Sequence, residues 1–294
     1  MKSWIKAMRL RTLPLASAGV ILGSFLAWNN GFSWLRFALL LGTALLLQIL
    51  SNLANDYGDF KKGTDNANRT GEKRMVSSGD ITPSAMLTAV VLFAVLSFVS
   101  GTLLLLQLTL TPEMLYFFYG VGILCIIAAI TYTIGKKAYG YSGFGDIAVF
   151  VFFGIVSVSG THYLLTGAFD PYILLPASAI GMLATGVLNL NNMRDHINDK
   201  NSGKNTLVVK MGFNKAKLYH TFLLSIPLVL GFLYVTFNPQ SNWQWLFMLT
   251  APILLKLSST VKKTTVPATL DGELKKQALT TLLFAVLFAV GNLL

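Results

Sequence analysis

Residues 34–54 read WLRFALLLGTALLLQILSNLA, and NDYGDFKKG follows directly at 55–63. The first stretch carries a single charged residue, Arg36, and is long enough for a helix to cross the hydrocarbon core of a bilayer. A lone strand would leave backbone groups unpaired in lipid, whereas a helix pairs them internally. The stretch therefore predicts a membrane-spanning helix, and the polar residues after it predict a loop where that helix leaves the membrane.

Further segments along the chain share this apolar character. The 294 residues are 54% hydrophobic and only 12% charged, about half the charged fraction of a soluble domain. We predict an all-α polytopic membrane protein with nine transmembrane helices, built as a single domain over 1–294. A division into two related halves, at about 1–143 and 144–294, is a further expectation. The predicted spans lie at about 12–28, 34–54, 84–107, 114–133, 144–166, 172–190, 218–237, 243–260 and 277–294.

The net charge of +11 is distributed unevenly along the chain. The N-terminus and every second connection between predicted spans hold 21 of the 23 Lys and Arg residues. Because basic loops remain in the cytoplasm, we predict a multi-pass protein of the bacterial cytoplasmic (inner) membrane, with a cytoplasmic N-terminus and the C-terminus on the opposite side. Topology thus explains the charge, and no nucleic-acid partner is implied. No Ala-x-Ala site closes the first span, which argues against a cleaved signal peptide.

Two long polar stretches interrupt the otherwise short connections, and both are rich in Asp and Asn. Their shared feature is a step of four residues, at Asn55 and Asp59 in the first stretch and at Asn191, Asp195 and Asp199 in the second. This step stacks side chains on one face of a helix. Asp56 shares the edge of the first face. The stretches align with Asp59 matched to Asp195, which indicates two related helical units.

Carboxylate and amide oxygens are the ligands that Mg²⁺ prefers, and substrate phosphates and water usually complete its shell. Lys and Arg in the same stretches can neutralise further phosphate charge. Two such clusters at one face of the membrane predict a site where metal ions hold a diphosphate and stabilise its departure. The alternative is that these residues are solvated helix ends, although carboxylates at the membrane edge are costly without a function.

The motifs Asn55-Asp56-x-x-Asp59 and Asp195-x-x-x-Asp199 resemble the paired Asp-rich signatures of the intramembrane aromatic prenyltransferase (UbiA) superfamily. Further similar stretches occur in order over nearly the whole chain: Arg11-Thr-Leu-Pro14-Leu, Asn52-Leu-Ala-Asn-Asp-Tyr-Gly-Asp59-Phe-Lys-Lys-Gly63, Ile130-Thr-Tyr132-Thr, Tyr139-Gly-Tyr141 and Gly203-Lys204-Asn-Thr206-Leu-Val-Val-Lys-Met-Gly212. In these details the chain resembles the branch of the family that prenylates 1,4-dihydroxy-2-naphthoate in menaquinone biosynthesis.

The resemblance implies a nine-helix bundle around a central cavity, capped by cytoplasmic Asp-rich loops. It implies transfer of a prenyl group from polyprenyl diphosphate to 1,4-dihydroxy-2-naphthoate, with Mg²⁺ as cofactor and the lipid bilayer as surroundings. The implied metal ligands are Asn55, Asp56, Asp59, Asn191, Asp195 and Asp199. Many relatives carry another Asp four residues after the position of Asp59, where this chain has Gly63. Asp65 is a substitute for that ligand, or the ligand is absent.

The resemblance also implies that basic residues bind the diphosphate. The candidates are Lys62, Arg69, Arg74, Lys136, Arg194 and Lys204, with Arg11 as a further one. Each has an alternative as an ordinary positive charge of a cytoplasmic loop.

Aromatic and acidic residues around the connection after the fourth span are candidates for binding the acceptor. Tyr132, Tyr139 and Tyr141 can stack on an aromatic ring, although interfacial tyrosines are common. Catalytic roles are assigned to Asp59 and Asp195 through the metal, and to Asp146, which can orient or deprotonate the acceptor hydroxyl. A helix N-terminal charge explains Asp146 equally well.

Rival functions come from other protein classes. The CDP-alcohol phosphotransferases also use Asp-rich helices and a divalent metal, but their Asp-Gly-x-x-Ala-Arg element is absent from this sequence. A secondary transporter would carry ionisable groups near the membrane midplane, whereas here they cluster at one face. Within the superfamily, the alternative acceptor is 4-hydroxybenzoate, which would keep its carboxylate.

Overall fold

The computed structural model describes residues 1–66 and 71–294, and every regular element within those ranges is helical. The predicted all-α class is therefore confirmed. Short 3₁₀ turns join the helices, and one long helix includes a π-helical stretch at Phe150–Gly160. The helices are α1 Lys2–Met8, α2 Leu13–Leu26, α3 Trp34–Lys61, α4 Pro83–Leu105, α5 Pro112–Thr131, α6 Gly145–Thr166, α7 Leu174–Asn201, α8 Leu207–Met211, α9 Phe213–Phe237, α10 Ala251–Lys263 and α11 Asp271–Gly291.

Seven helices in the described part of the chain are long and apolar enough to cross a membrane. They correspond to seven of the nine predicted spans. The other two predicted spans are helical but shorter or irregular. Helix α2 has 14 residues, and the segment predicted at 243–260 is a 3₁₀ helix, Asn242–Thr250, that continues into the 13 residues of α10. The count of nine transmembrane helices therefore stays a prediction.

The predicted ends of two spans, at residues 54 and 190, were wrong. Helix α3 continues to Lys61 and helix α7 to Asn201, so both polar motifs lie on helices instead of in loops. Polarity does not end these helices, because their polar side chains find partners within the protein. Each helix ends just before a glycine with a positive φ, 69° at Gly63 and 73° at Gly203, a conformation that glycine adopts without steric cost.

The two helix ends have the same capping geometry. The backbone N–H after each glycine donates to a carbonyl five residues earlier: Thr64 to Asp59 at 3.0 Å, and Lys204 to Asp199 at 2.8 Å. Both helices also contain 28 residues. The structure therefore matches Asp59 with Asp199, one turn beyond the predicted match with Asp195. The likeness is consistent with two related halves, which remain a prediction.

The helices form two groups that α2 joins. Helix α3 packs against α4 and α5, whereas α7 packs against α6, α9 and α11, and α2 packs against α3, α6 and α11. Helix α7 is the most buried of the long helices, and its Ile180 and Leu183 are fully enclosed.

Glycines allow the backbones within each group to approach closely. A Cβ on Gly58 would lie 2.5 Å from the Oγ1 of Thr133, and one on Gly154 would lie 2.6 Å from the Cα of Gly181. The first contact joins the motif-bearing end of α3 to the segment after α5. The second joins α6 to α7 ten residues before Asn191, so only the first contact lies at a polar motif.

Candidate active site

A cavity of about 400 Å³ lies between the two helix groups, within the usual size range of small-molecule sites. Along α3 its wall extends from Leu40 to Asp59, roughly 28 Å at the α-helical rise. Towards Leu40 the wall is apolar and includes Val20 and Leu104. Towards Asp59 it is charged and polar, and includes Arg9, Arg11, Asn55, Arg74, Asn191 and Lys204. This shape suits a long molecule with an anionic head and an apolar tail.

The first motif presents Asp59 to the cavity. Its carboxylate is buried and accepts a hydrogen bond from the Tyr141 hydroxyl at 2.8 Å. Two cations lie beside it, the Arg74 guanidinium at 3.4 Å and the Lys204 ammonium at 3.8 Å. Asp59 therefore has both the charge and the position to join a metal–diphosphate cluster at the charged end of the cavity.

The neighbours of Asp59 in the motif differ in orientation. Asn55 lines the cavity, and its amide oxygen accepts a hydrogen bond from Thr133 at 3.2 Å. Asp56 instead accepts the backbone N–H groups of Met75 and Val76 at 3.0 and 3.1 Å, one on each carboxylate oxygen. Asp56 thus anchors the segment that carries Arg74, and its role as a metal ligand stays a prediction.

Tyr141 joins three segments of the chain at the mouth of the cavity. Its hydroxyl also pairs with the Thr64 hydroxyl at 2.6 Å, and the ammonium groups of Lys62 and Lys204 lie 4.3 and 5.3 Å from the centre of its ring. Burial and the nearby Asp59 carboxylate raise the pKa of Tyr141, so its hydroxyl stays protonated and can donate. Tyr141 is absent from the described cavity wall, and its contacts indicate that it orients charged groups.

The second motif is dominated by Arg194. Its guanidinium, which is fully buried, donates to both carboxylate oxygens of Asp195, at 2.9 and 2.6 Å. The same group also donates to Asn191 at 2.9 Å and to Asp271 at 2.6 Å. Asn191 lines the cavity, whereas Asp195 and Asp199 are buried and are not among the described residues of its wall.

Further charged residues surround this mouth. Arg11 pairs with Glu72 at 3.1 Å and with Asp271 at 3.6 Å. Arg74 lies 3.6 Å from Asp65, the residue proposed as a substitute ligand. Asp271 and Glu72 were missed in the sequence. The available signal for Asp271 was its position at the start of the last helix, on the predicted side of the membrane that carries the basic residues.

The turn that carries Arg9 and Arg11 is held by side chains of α3. The Asn52 amide donates to the backbone oxygen of Met8 and to the Thr12 hydroxyl, both at 2.9 Å. Arg9 itself has a left-handed backbone with φ of 49°, which produces the tight turn between α1 and α2. Two guanidinium groups therefore reach the cavity from the N-terminal segment.

Two of the predicted acceptor-binding tyrosines line the cavity. The rings of Tyr132 and Tyr139 meet edge to face at 5.3 Å. The Tyr139 hydroxyl donates to the carbonyl of Ala128 at 2.8 Å, and burial raises its pKa to about 12. Burial, followed by the charges of Asp146 and Asp59, also raises the pKa of Tyr132. Both therefore present neutral aromatic surface beside the charged mouth.

The remaining predicted residues lie further away or outside the described ranges. Asp146 is buried at the start of α6, interacts with Tyr219, and is not among the described residues of the cavity wall. Lys136 is exposed on the surface. Arg69 lies outside the described residues.

The oxygen-bearing side chains at this end of the cavity fit a Mg²⁺ site only if a substrate supplies further ligands. Among residues 1–66 and 71–294, no group of three or more Asp, Glu, His or Cys side chains is arranged to hold a metal ion. Asn55, Asp59 and Asn191 nevertheless line the same end of the cavity, and Asp59 brings a carboxylate to it. Mg²⁺ commonly binds through one or two carboxylates and takes its other ligands from water and substrate phosphates.

Comparison with known proteins agrees with this architecture. The chain is 45% identical over 291 residues to 1,4-dihydroxy-2-naphthoate octaprenyltransferase of Escherichia coli (strain K12), covering 99% of this chain and 94% of the relative. It is 42% identical over 297 residues to the protein of the same name from Haemophilus influenzae, covering 100% and 96%.

Solved structures share the fold at low sequence identity. A UbiA homolog from Aeropyrum pernix K1 superposes with a TM-score of 0.69 at 15% identity, covering 98% of this chain and 97% of that one. A UbiA homolog from Archaeoglobus fulgidus bound to DMAPP and Mg²⁺ gives 0.65 at 14% identity, covering 98% and 99%. Residues 16–270 match the family model, and the chain belongs to the UbiA prenyltransferase family.

Proposed function

We propose that this chain transfers a polyprenyl group from polyprenyl diphosphate to 1,4-dihydroxy-2-naphthoate, releasing diphosphate and CO₂ and giving demethylmenaquinol. The observation that carries this proposal is the similarity over essentially the full chain to relatives named for that acceptor. The cavity supports it independently, because its charged mouth and apolar interior match the two parts of a prenyl diphosphate.

The diphosphate head binds at the charged mouth. Arg74 and Lys204 lie on either side of Asp59, and Arg11 reaches the same end of the cavity from the N-terminal turn. These cations can form charge-assisted hydrogen bonds to phosphate oxygens, which are stronger than neutral ones. Mg²⁺, when bound with the diphosphate, supplies further charge neutralisation for the leaving group, through ligands drawn from Asn55, Asp59 and the second motif.

The prenyl tail extends from the mouth along the apolar wall. Heterolysis of the bond between the first prenyl carbon and the diphosphate oxygen gives an allylic cation beside Tyr132 and Tyr139. The faces of these rings can stabilise a cation. The naphthoate carbon that bears the carboxylate attacks this cation and forms the new C–C bond. The C–CO₂ bond then breaks, and its electron pair restores the aromatic ring.

The membrane arrangement is also part of the proposal. The distribution of basic residues supports a cytoplasmic position of the N-terminus and the cavity mouth, in a bacterial inner membrane. Both substrates then reach the site from defined directions: the water-soluble naphthoate from the cytoplasm and the prenyl tail from lipid. The seven long apolar helices agree with a multi-pass protein.

The decisive experiment supplies purified protein with polyprenyl diphosphate, Mg²⁺ and either 1,4-dihydroxy-2-naphthoate or 4-hydroxybenzoate, and measures the product mass. We expect a prenylated naphthalenediol without its carboxylate, with CO₂ released one for one. A naphthoate product that retains the carboxylate, or turnover confined to 4-hydroxybenzoate, would contradict the proposed reaction.

A further inference from the structure

Arg194 occupies the oxygens that a metal ion would need in the second motif. It forms two hydrogen bonds to Asp195 and one to Asn191, all between 2.6 and 2.9 Å. The guanidinium has no exposure to solvent, and the Asp195 side chain is only 5% exposed. A bidentate pair of this kind is both strong and geometrically specific. A metal ion bound to Asp195 in this arrangement would lie beside the buried guanidinium, and the two positive charges would repel each other.

A metal ion alone is a poor competitor for this pair. If Mg²⁺ displaced the guanidinium from Asp195, Arg194 would lose one of the carboxylates that balance its buried charge, which is unfavourable. The protein also offers no ready cage, because the described residues contain no cluster of three or more metal-binding side chains. A second anion is therefore required before Asp195 becomes available.

Asp271 allows Arg194 to change partners while remaining anchored. The Nη1 atom of Arg194 is bound to Asp271 at 2.6 Å, and the Nε and Nη2 atoms are those engaged with Asp195. Nη2 also bonds to Asn191, which lines the cavity, whereas Arg194 itself is not among the described residues of the wall. Asn191 therefore links this edge of the guanidinium to the cavity. A phosphate oxygen there could replace Asp195 as its acceptor.

We propose that Arg194 masks Asp195 and Asn191 until diphosphate binds, so that Mg²⁺ and diphosphate enter the second motif only together. Diphosphate accepts the hydrogen bonds of Arg194, and the freed oxygens of Asp195 and Asn191 then face the metal. Asp271 holds the arginine in place during the exchange. This inference rests on the proposed function, because it assumes a diphosphate substrate, and it assigns Arg194 a positioning role in addition to diphosphate binding.

The test is to titrate Mg²⁺ into purified protein by calorimetry with no diphosphate present. Arg194→Gln removes the mask, and we expect this variant to bind Mg²⁺ about tenfold or more tightly than the wild type. Lys276→Gln removes the same charge at an exposed site paired with Glu273, and should match the wild type. Folded Arg194→Gln with wild-type Mg²⁺ affinity would overturn the proposal.

Arg194→Lys covers the case in which the glutamine variant does not fold. Lysine keeps the charge but lacks the planar pair of donors, so this variant should bind Mg²⁺ more tightly than the wild type. Unchanged Mg²⁺ affinity in Arg194→Lys would count against the mask.

A second titration uses inorganic diphosphate without metal. Arg194→Gln should bind it about tenfold more weakly than the wild type, and equal affinity would again oppose the exchange of partners. These titrations do not depend on the acceptor. An unexpected product mass would therefore contradict the proposed reaction, whereas an unchanged Mg²⁺ affinity would contradict the role of Arg194.

Discussion

The substitution Asp59→Asn tests the site most directly, because it removes one negative charge and keeps the side-chain size. In the structure, the Asp59 carboxylate contacts the Tyr141 hydroxyl, Arg74 and Lys204 within 3.8 Å. Asparagine can still accept from Tyr141 but cannot balance the two cations or bind Mg²⁺ as a charged ligand. We expect a loss of about 3–4 kcal/mol of transition-state stabilisation, or roughly 10²–10³ in rate, comparable to deleting one oxyanion donor.

Asp56→Asn is the matched control, since it makes the same change three residues earlier on the same helix. Asp56 bonds to backbone N–H groups of Met75 and Val76 and not to the cations of the site. Losing one charge-assisted hydrogen bond should lower the free energy of unfolding by about 1.5–3 kcal/mol. Turnover by the folded fraction should stay near that of the wild type, which separates a structural carboxylate from a catalytic one.

The assay measures prenylated product per folded enzyme, with folding checked by thermal unfolding of each purified variant. Excess Mg²⁺ should partly restore Asp59→Asn if the variant only binds metal more weakly. If folded Asp59→Asn keeps near-normal turnover with EDTA present, the carboxylate neither binds metal nor stabilises the leaving group, and the reasoning fails.

Further predictions concern the metal shell, the packing and the topology. Asp65→Asn should reduce turnover less than Asp59→Asn, because the structure shows Asp65 beside Arg74 and not on the described cavity wall. Gly58→Ala should lower the free energy of unfolding by about 1–3 kcal/mol, since the new Cβ would meet Thr133. In Gly42→Ala on the same helix, the new Cβ would have no neighbouring atom closer than 4.0 Å. This variant should raise the free energy of unfolding by about 0.5–1 kcal/mol, and thermal unfolding distinguishes the two variants. A reporter fused after Leu294 should be periplasmic and one within 262–275 cytoplasmic; the same compartment for both contradicts nine spans.

The apolar pattern of the chain was sufficient to predict an all-helical membrane protein, because long uncharged stretches have few other stable structures in lipid. The positions of Asn55 and Asp59 on one helix face also followed from their spacing, and both line the cavity. Helix ends were harder to predict. Polar residues were read as the start of a loop, yet α3 continues past Asp59 until Gly63 permits a left-handed cap.

The role of each carboxylate could not be read from spacing. Asp56 and Asp59 are three residues apart, but one bonds to backbone groups about twenty residues later in the chain and the other faces the cavity. Likewise, Asp271 reaches Arg194 from a different helix. Such contacts depend on how helices pack against each other, and no local pattern in a single sequence encodes that packing.

The shared capping geometry clarifies how the two motifs relate. Asp59 and Asp199 each lie four residues before a glycine with a positive φ. The backbone carbonyl of each aspartate accepts a hydrogen bond from the N–H of the residue after that glycine. By the same register, Asn55 matches Asp195, so an amide in the first helix corresponds to a carboxylate in the second. Asn55 lines the cavity, whereas the additional negative charge of Asp195 is paired with Arg194. At this position the two helices therefore differ by one charge and its counter-ion, and in our proposal that difference makes the second motif dependent on an incoming anion.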